Sequence, residues 1–502
     1  MTLWQVALVD LGVLALAGLG LLVALQVGWQ RARARWEQEL GADPRQSPTE
    51  LLFSLRATTP AEVVLTALRA AQGRVAEHPM GSAPLVQWLD HLAWDPATIS
   101  PPPLPRRRVV DTRVRLGPRA ARPLELALPV LPAPMGYGVG VTDAAKVALA
   151  QAATVSGTAA ASGEGPYLPE ERAWAHRWIL QASRAGWAHQ RAVVALADMV
   201  EIQIGQGAEA AIGIAKGPRH LPRRLRHASD HPRTPIRIHA RPPRSLAAWI
   251  RAIHRANPAV PVGVKLPASA HLEADLARLL EAGVDVITLD GAEAASANSP
   301  AVISDHFGLP TAVAVARAHR WLVAQGLRDR VSLVASGGAR GAADIAKLLA
   351  LGADAVAVGT SLLLAMSHGQ VHRVVPAAGP AALVLAAPRI PGGGLKVGDA
   401  AEHLARWFAA TREELVLIAQ ALGVPSLRAL NPSQLVARSE EAARLFGIPY
   451  AGAPPGRPPA AWAHNLTALA AGYRRLEQIL DGIGRGLGLR PPAKGGGEYG
   501  GG

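Results

Sequence analysis

The chain has 502 residues, a formal net charge of +14, no cysteine, and hydrophobic side chains at 49% of its positions, enough to bury one large core plus appendages. Without cysteine there are no disulfides, no cysteine nucleophile and no thiolate-held zinc or iron–sulfur cluster. The positive charge is almost wholly arginine, spread over Arg31 to Arg35, Arg106 to Arg122 and the stretch from Lys216 to Arg255; with few aromatics interleaved and no RNA-recognition or helix-turn-helix signature, it reads as solvated surface and not as a nucleic-acid face.

Residues 11–29, "LGVLALAGLGLLVALQVGW", form an uncharged apolar run followed by "RARAR". At about 1.5 Å rise per residue the run approaches the roughly 30 Å of a bilayer core. The expectation is a single-pass transmembrane helix, with the arginines and everything after them on the cytoplasmic side. A cleaved signal peptide fits less well, because no Lys or Arg precedes the run and no small-x-small site follows.

Residues 1–40 are thus read as anchor and basic juxtamembrane segment, and 41–105 as a helical N-terminal region. After the proline cluster "SPPPLPRRR", short β-branched or alanine-rich runs alternate with helix-length amphipathic segments, which argues for parallel strands with crossover helices. Eight strands are expected: "LALPVLPA", "GTAAAS", "WILQAS", "MVEIQI", "VGVKL", "VITLD", "VSLVAS" and "AVAVG". Helices are expected at "TDAAKVALAQAA", "LEADLARLLEAG", "AVAVARAHRWLVAQ" and "AADIAKLLALG", with Gly283 and Gly352 where helix ends need positive φ. The fold class is α/β, a (β/α)8 TIM barrel over residues 106–370 with helical N- and C-terminal extensions. A linker follows at 371–395 and a helical region at 396–452, where Thr411 and Glu414 read as a capping box. Over 453–502, Trp462, Leu466, Leu469, Tyr473, Leu476 and Leu480 make an amphipathic stripe ahead of a Gly-rich tail.

Barrel chemistry sits at the C-terminal ends of the strands. The seventh is followed by Ser336-Gly337-Gly338 and the eighth by Gly359-Thr360, a paired glycine cradle suited to a phosphate. Lys265 ends the fifth strand; lysines are scarce here, and an ammonium at the mouth suits a flavin ring edge, although it could instead pair with Asp290. Gln206 follows the fourth strand as a neutral donor and acceptor. Gly136 and Gly138 in "APMGYG" leave room for a planar cofactor, and Glu164 stands between two glycines, where it could orient an amine or imine or brace the loop.

The succession "APMGYG", "GEGPYLPEE", "VEIQIGQGAEA", "VGVKL", "VITLDGAEAASANSP", "SDHFGLPTAVAVARA" and "GLRDRVSLVASGGARGAADIAKLLALGADAVAVGT" resembles the FMN-binding synthase domain of glutamate synthases and their stand-alone relatives, from about Val110 to Met366 and again through "AAEHLARWFAATREELVLIAQALGVPSLRAL". The resemblance implies FMN and hydride transfer to 2-iminoglutarate, formed from 2-oxoglutarate and ammonia, to give L-glutamate. It implies that Ser336, Gly337, Gly338, Gly359 and Thr360 bind the FMN phosphate, that Gln206 and Lys265 face the ring with Met135, Gly136 and Tyr137 along it, and that Glu164 and Asp290 border the substrate. Lys265, Gln206 and Glu164 are the implied catalytic residues, and an electron-donor protein is the implied partner.

Three features depart from the family's usual pattern. Gln203 and Glu209 stand where lysines usually flank the glutamine, which weakens attraction for a dicarboxylate. Ala294, Ala295, Ala297 and Asn298 fill a loop that is usually glycine-rich. "SHGQVHRVVPAAG" replaces the segment carrying the cluster cysteines, so no iron–sulfur cluster is expected, and the glutaminase domain is missing. Two alternatives therefore stand beside glutamate formation: an FMN oxidoreductase acting on another amine or amino acid, and a catalytically reduced flavin-binding scaffold.

Overall fold

The computed structural model describes residues 23–34, 86–138, 140–182, 190–207, 214–216, 236–238, 245–294, 301–373 and 394–453. The chain divides into two compact units, Met1–Ala76 and Glu77–Gly502.

In the first unit the description is limited to an exposed helix at 23–34. At 1.5 Å per residue it rises about 18 Å, and its second half carries Arg31 and Arg33. Among the described residues no helix is long and apolar enough to cross a membrane. On that finding the transmembrane helix expected over residues 11–29 is corrected, and with it the membrane contact and the single-pass placement; residues 11–22 of that run lie outside the described residues.

The second unit is built on eight parallel strands: β1 (Val130–Pro132), β2 (Ala160–Ala161), β3 (Trp178–Ala182), β4 (Met199–Gln203), β5 (Val262–Pro267), β6 (Val286–Asp290), β7 (Ser332–Ser336) and β8 (Ala355–Val358). Seven lie inside the runs expected from the sequence, and β5 overruns "VGVKL" by one residue, Pro267. Their order in the sheet is β1-β8-β7-β6-β5-β4-β3-β2, the cyclic order of a TIM-like barrel. At the seam between β1 and β2, the Thr158 hydroxyl donates to the Val130 carbonyl (2.6 Å), and the Ala127 N–H donates to the Gly157 carbonyl (2.8 Å).

Helices cover the outside: α1 (Asp143–Ser156), α2 (Pro169–Trp174), α3 (Arg191–Val194), α4 (Leu246–Ala256), α5 (Leu272–Glu281), α6 (Ala301–Ser304), α7 (Thr311–Ala324), α8 (Ala342–Ala350) and α9 (Thr360–Ser367). Local chemistry sets their ends: the Thr142 and Ser245 hydroxyls accept N–H groups at the starts of α1 and α4, as N-caps do. Gly283 and Gly352 take positive φ after α5 and α8, as their positions in the sequence require. A short antiparallel ribbon pairs Ile214–Lys216 with Ile236–Ile238 between β4 and α4.

Strand alternation divides the inside of the barrel into two layers. The lower layer is apolar, with Leu131, Ile179, Met199, Val286, Val334 and Ala355 packed on an antiparallel hairpin, Val114–Leu116 with Leu124–Leu126. The hairpin closes the N-terminal end, where the Gly117 N–H donates to the Ser332 hydroxyl (3.1 Å). Toward the C-terminal end the inward positions become polar: Gln181, Glu201, Gln203, Lys265, Thr288, Asp290 and Ser336 are all buried.

Outside the barrel, Leu92–Trp94 pairs with Leu435–Ala437, so the region expected to be helical up to residue 105 contributes a strand where it is described. Two further helices follow, α10 (Val397–Ala421) and α11 (Glu440–Phe446). Thr411 is no cap: α10 runs through it unbroken, and its side chain is buried in one stripe with Ala400, Leu404, Phe408, Leu415 and Ala419. A stripe at three- and four-residue spacing keeps the helix on the barrel surface. The expected stripe from Trp462 to Leu480 lies outside the described residues.

Candidate functional site

The residues singled out from the sequence fall at the C-terminal ends of the barrel strands and form three groups by contact. The first joins β4, β5 and β6. Lys265 and Gln203 are in register across β5 and β4, and Lys265 lies opposite Thr288 across β5 and β6. The Lys265 ammonium is 3.2 Å from Asp290 Oδ2, with the two side chains 5% and 1% exposed. The same oxygen accepts the Gly207 N–H at 3.1 Å, which ties the loop carrying the half-buried Gln206 to the ion pair. Asp290 Oδ1 is buried and accepts no hydrogen bond among the described residues. Lys265 thus makes the pairing with Asp290 that the sequence left open, at the foot of the mouth.

The second group joins the loops after β1 and β2. Met135 is half-buried, Gly136 and Tyr137 are buried, and Glu164 is 3% exposed. A Cβ on Gly136 would lie 1.8 Å from the Glu164 carbonyl oxygen, and one on Gly163 2.2 Å from the Met135 carbonyl carbon. These glycines let two backbones touch; Gly136 serves loop against loop and does not simply leave space for a ligand.

The third group is the glycine cradle. Gly337 and Gly338 follow β7 at φ +110° and +75°, a region costly for other residues. Gly359 and Thr360 open α9, and the Ser361 hydroxyl donates to the Arg340 carbonyl (3.0 Å), joining the two turns. Among the described residues, the N–H groups of Gly337, Gly338, Ala339, Thr360 and Ser361 have no acceptor. Five backbone donors on two adjacent turns, one of them a helix start, suit a phosphate.

Several participants were not singled out from the sequence. Beneath Lys265, Glu201 accepts from Gln181 Nε2 (2.8 Å) and from the Thr288 hydroxyl (2.6 Å). Burial pushes the Glu201 carboxyl above its ordinary range, against the pull of Lys265, Thr288 and Gln181. The signal was present in "MVEIQ", where alternation puts Glu201 and Gln203 on the inward face of Met199. Beside the cradle, the Glu293 carboxylate accepts the Thr311 N–H (2.8 Å) and lies 2.7 Å from its hydroxyl, and the Glu293 side chain is 3.5 Å from where a Gly338 Cβ would be. Arg340, in the same turn, is ion-paired to Asp344 and Asp90.

Residues 110–425 match the conserved region in glutamate synthase. A glutamate synthase large subunit-like protein of Rhizobium meliloti is 31% identical over 420 residues, 76% of this chain and 92% of that protein. An archaeal-type glutamate synthase [NADPH] of Thermotoga neapolitana is 30% identical over 341 residues, 61% of this chain and 66% of that protein. Another, from Thermotoga maritima, is 33% identical over 268 residues, and the match spans 52% of its length. Among solved structures, flavocytochrome b2 with pyruvate bound superposes at 14% identity and a TM-score of 0.47, over 76% of this chain and 84% of that one, a likeness too distant to bear on chemistry.

Proposed function

This chain belongs to the glutamate synthase family and is an oxidoreductase of that type, and from that premise we propose that it binds FMN and reduces 2-iminoglutarate, formed from 2-oxoglutarate and ammonia, to L-glutamate. The observation that carries the reading is the placement of one buried cation, Lys265, at the mouth of the barrel whose β7 and β8 turns present five backbone donors without acceptors among the described residues.

The residues present fit FMN. A dianionic phosphate matches the donors of Gly337, Gly338, Ala339, Thr360 and Ser361, and the positive φ of Gly337 and Gly338 keeps Cβ atoms out of the cradle. Lys265 and Gln206 are on the elements that flank the mouth, and a cation near a flavin ring edge favours its anionic reduced form. When bound, FMN would supply the hydride for reduction of the imine, which forms when ammonia condenses with the 2-oxo group and water leaves.

In this reading the chain binds, orients and excludes water. Asp290 fixes the Lys265 ammonium and, through the Gly207 N–H, the Gln206 loop. Glu164, buried against the β1 loop, faces the amino group that forms. The electrons come from an external donor protein. The replacements at Gln203 and Glu209 favour a second reading, the same flavin chemistry on a less anionic amine or amino acid.

The test is to purify the protein, identify its chromophore, and follow anaerobic reoxidation of the reduced protein. Reoxidation by 2-oxoglutarate with ammonium, and glutamate as product, is the expected result. Protein that neither carries nor takes up FMN overturns the proposal; a bound flavin reoxidised by a different imine selects the second reading.

A further inference from the structure

The polar layer inside the barrel contains more acid than base. Facing one another there are Gln181 from β3, Glu201 and Gln203 from β4, Lys265 from β5, Thr288 and Asp290 from β6, and Ser336 from β7, all buried. Among these, Lys265 is the sole cation for two carboxylates, and it makes its direct ion pair with Asp290. Glu201 is left with two neutral partners, the Gln181 amide and the Thr288 hydroxyl. A carboxylate removed from water with no cation in contact takes up a proton in preference to carrying its charge.

Both neighbours of Glu201 suit an acid. A hydroxyl either donates to a carboxylate or accepts from a carboxylic acid, so the contact with Thr288 persists in both states. Gln181 Oε1 is buried and accepts no hydrogen bond among the described residues. If the Gln181 amide turns over, that oxygen meets the carboxyl group at the same 2.8 Å and accepts a hydrogen bond from the acid O–H, filling an acceptor that is otherwise orphaned. The layer below is apolar, with Met199 and Val286 buried on the neighbouring inward positions.

We propose that Glu201 is a positioning residue held as the neutral acid, which leaves the Lys265 charge shared with Asp290 alone and directed to an anion at the barrel mouth. The second half of this inference rests on the FMN reading. Loss of the Glu201 proton places a second negative charge beneath Lys265 and weakens its hold on the anionic cofactor, so Glu201 governs the alkaline limb of cofactor affinity. Glu201 touches neither cofactor nor substrate and acts through Lys265.

Infrared spectroscopy of the native protein and of Glu201→Gln, each with and without FMN, tests the proton directly. The native protein is expected to show a carboxylic-acid C=O band at neutral pH that is missing from E201Q. A native spectrum unaltered in that region by E201Q means an ionised Glu201 and overturns the proposal. Should E201Q not fold, Thr288→Val decides: an acid band that shifts when the hydroxyl is removed supports it, and no responding band overturns it. Titration of FMN against pH reads the functional half. Native affinity falls by up to about tenfold per pH unit above the Glu201 pKa, and E201Q lacks that fall; equal slopes in both proteins overturn the role assigned to Lys265. If no FMN binds, the proposed function fails while the infrared band still decides the proton.

Discussion

Replacing Lys265 by methionine removes the cation from the barrel while keeping much of its unbranched stem. In the native protein its ammonium is 3.2 Å from Asp290 Oδ2 with both side chains almost fully buried, so K265M strands a carboxylate whose remaining partner is the Gly207 N–H. Breaking a buried pair from one side costs about 3–5 kcal/mol. Urea unfolding of K265M at neutral pH should show that loss against the native protein. The neutral double variant K265M/D290N should recover most of the loss, because it buries no unpaired charge. A K265M penalty under about 1 kcal/mol, or a double variant no better than the single one, would refute a charged, desolvated pair.

Gly136→Ala tests the contact between the β1 and β2 loops: with its Cβ placed 1.8 Å from the Glu164 carbonyl oxygen, the loops must part. A loss of about 1–3 kcal/mol in thermal unfolding and weakened FMN binding are expected, and native behaviour in both would show that the loops do not touch. Asp90 is held below the usual carboxylate range mainly by its hydrogen bonds from Arg340; a group lowered on folding contributes stability present above its unfolded pKa and lost as pH falls through its folded one. Hydrogen exchange of residues 88–94 should accordingly accelerate in acid before the barrel strands respond, and Asp90→Asn should show that faster exchange already at neutral pH; identical profiles in the two proteins would mean that the Asp90–Arg340 pair does not hold this segment.

The barrel was legible because each strand is a β-branched or alanine-rich run too short for a helix and bounded by turn residues, as in "VITLD" before Gly291. Lys265 was legible through rarity, and the cradle because glycine turns recur at two consecutive strand ends. Pairing across strands was less legible. Glu201 is four residues before Gly205 and looks like part of the same mouth, yet alternation sends it inward and below Lys265. Gly136 reads as room for a ligand, whereas the third dimension fills that room with the Glu164 carbonyl. Thr411 and Glu414 have capping-box spacing, but Phe408 and Leu415 continue the apolar stripe across them, and packing along α10 outweighs the local cap.

The extensions bear on how the cradle keeps its shape. A turn whose backbone donors lack acceptors gains nothing from internal hydrogen bonds, so it collapses unless its flanks are held. Here the flanks are held from behind. Arg340 leaves the β7 turn to grip Asp344 and Asp90, and the Lys347 ammonium on α8 donates to the Leu89 carbonyl (2.7 Å). The segment that carries Asp90 and Leu89 is fixed in turn by the pairing of Leu92–Trp94 with Leu435–Ala437, and by Arg438 donating to the Asp90 carbonyl (3.2 Å). Residues before and after the barrel thus converge on the back of a single turn, and Arg340, satisfied by two carboxylates, is a brace in this arrangement and not a phosphate ligand. In the proposed FMN reading the phosphate then falls to the backbone donors, whose positions do not depend on side-chain rotamers, with the two extensions supplying the rigidity that a five-residue turn lacks alone.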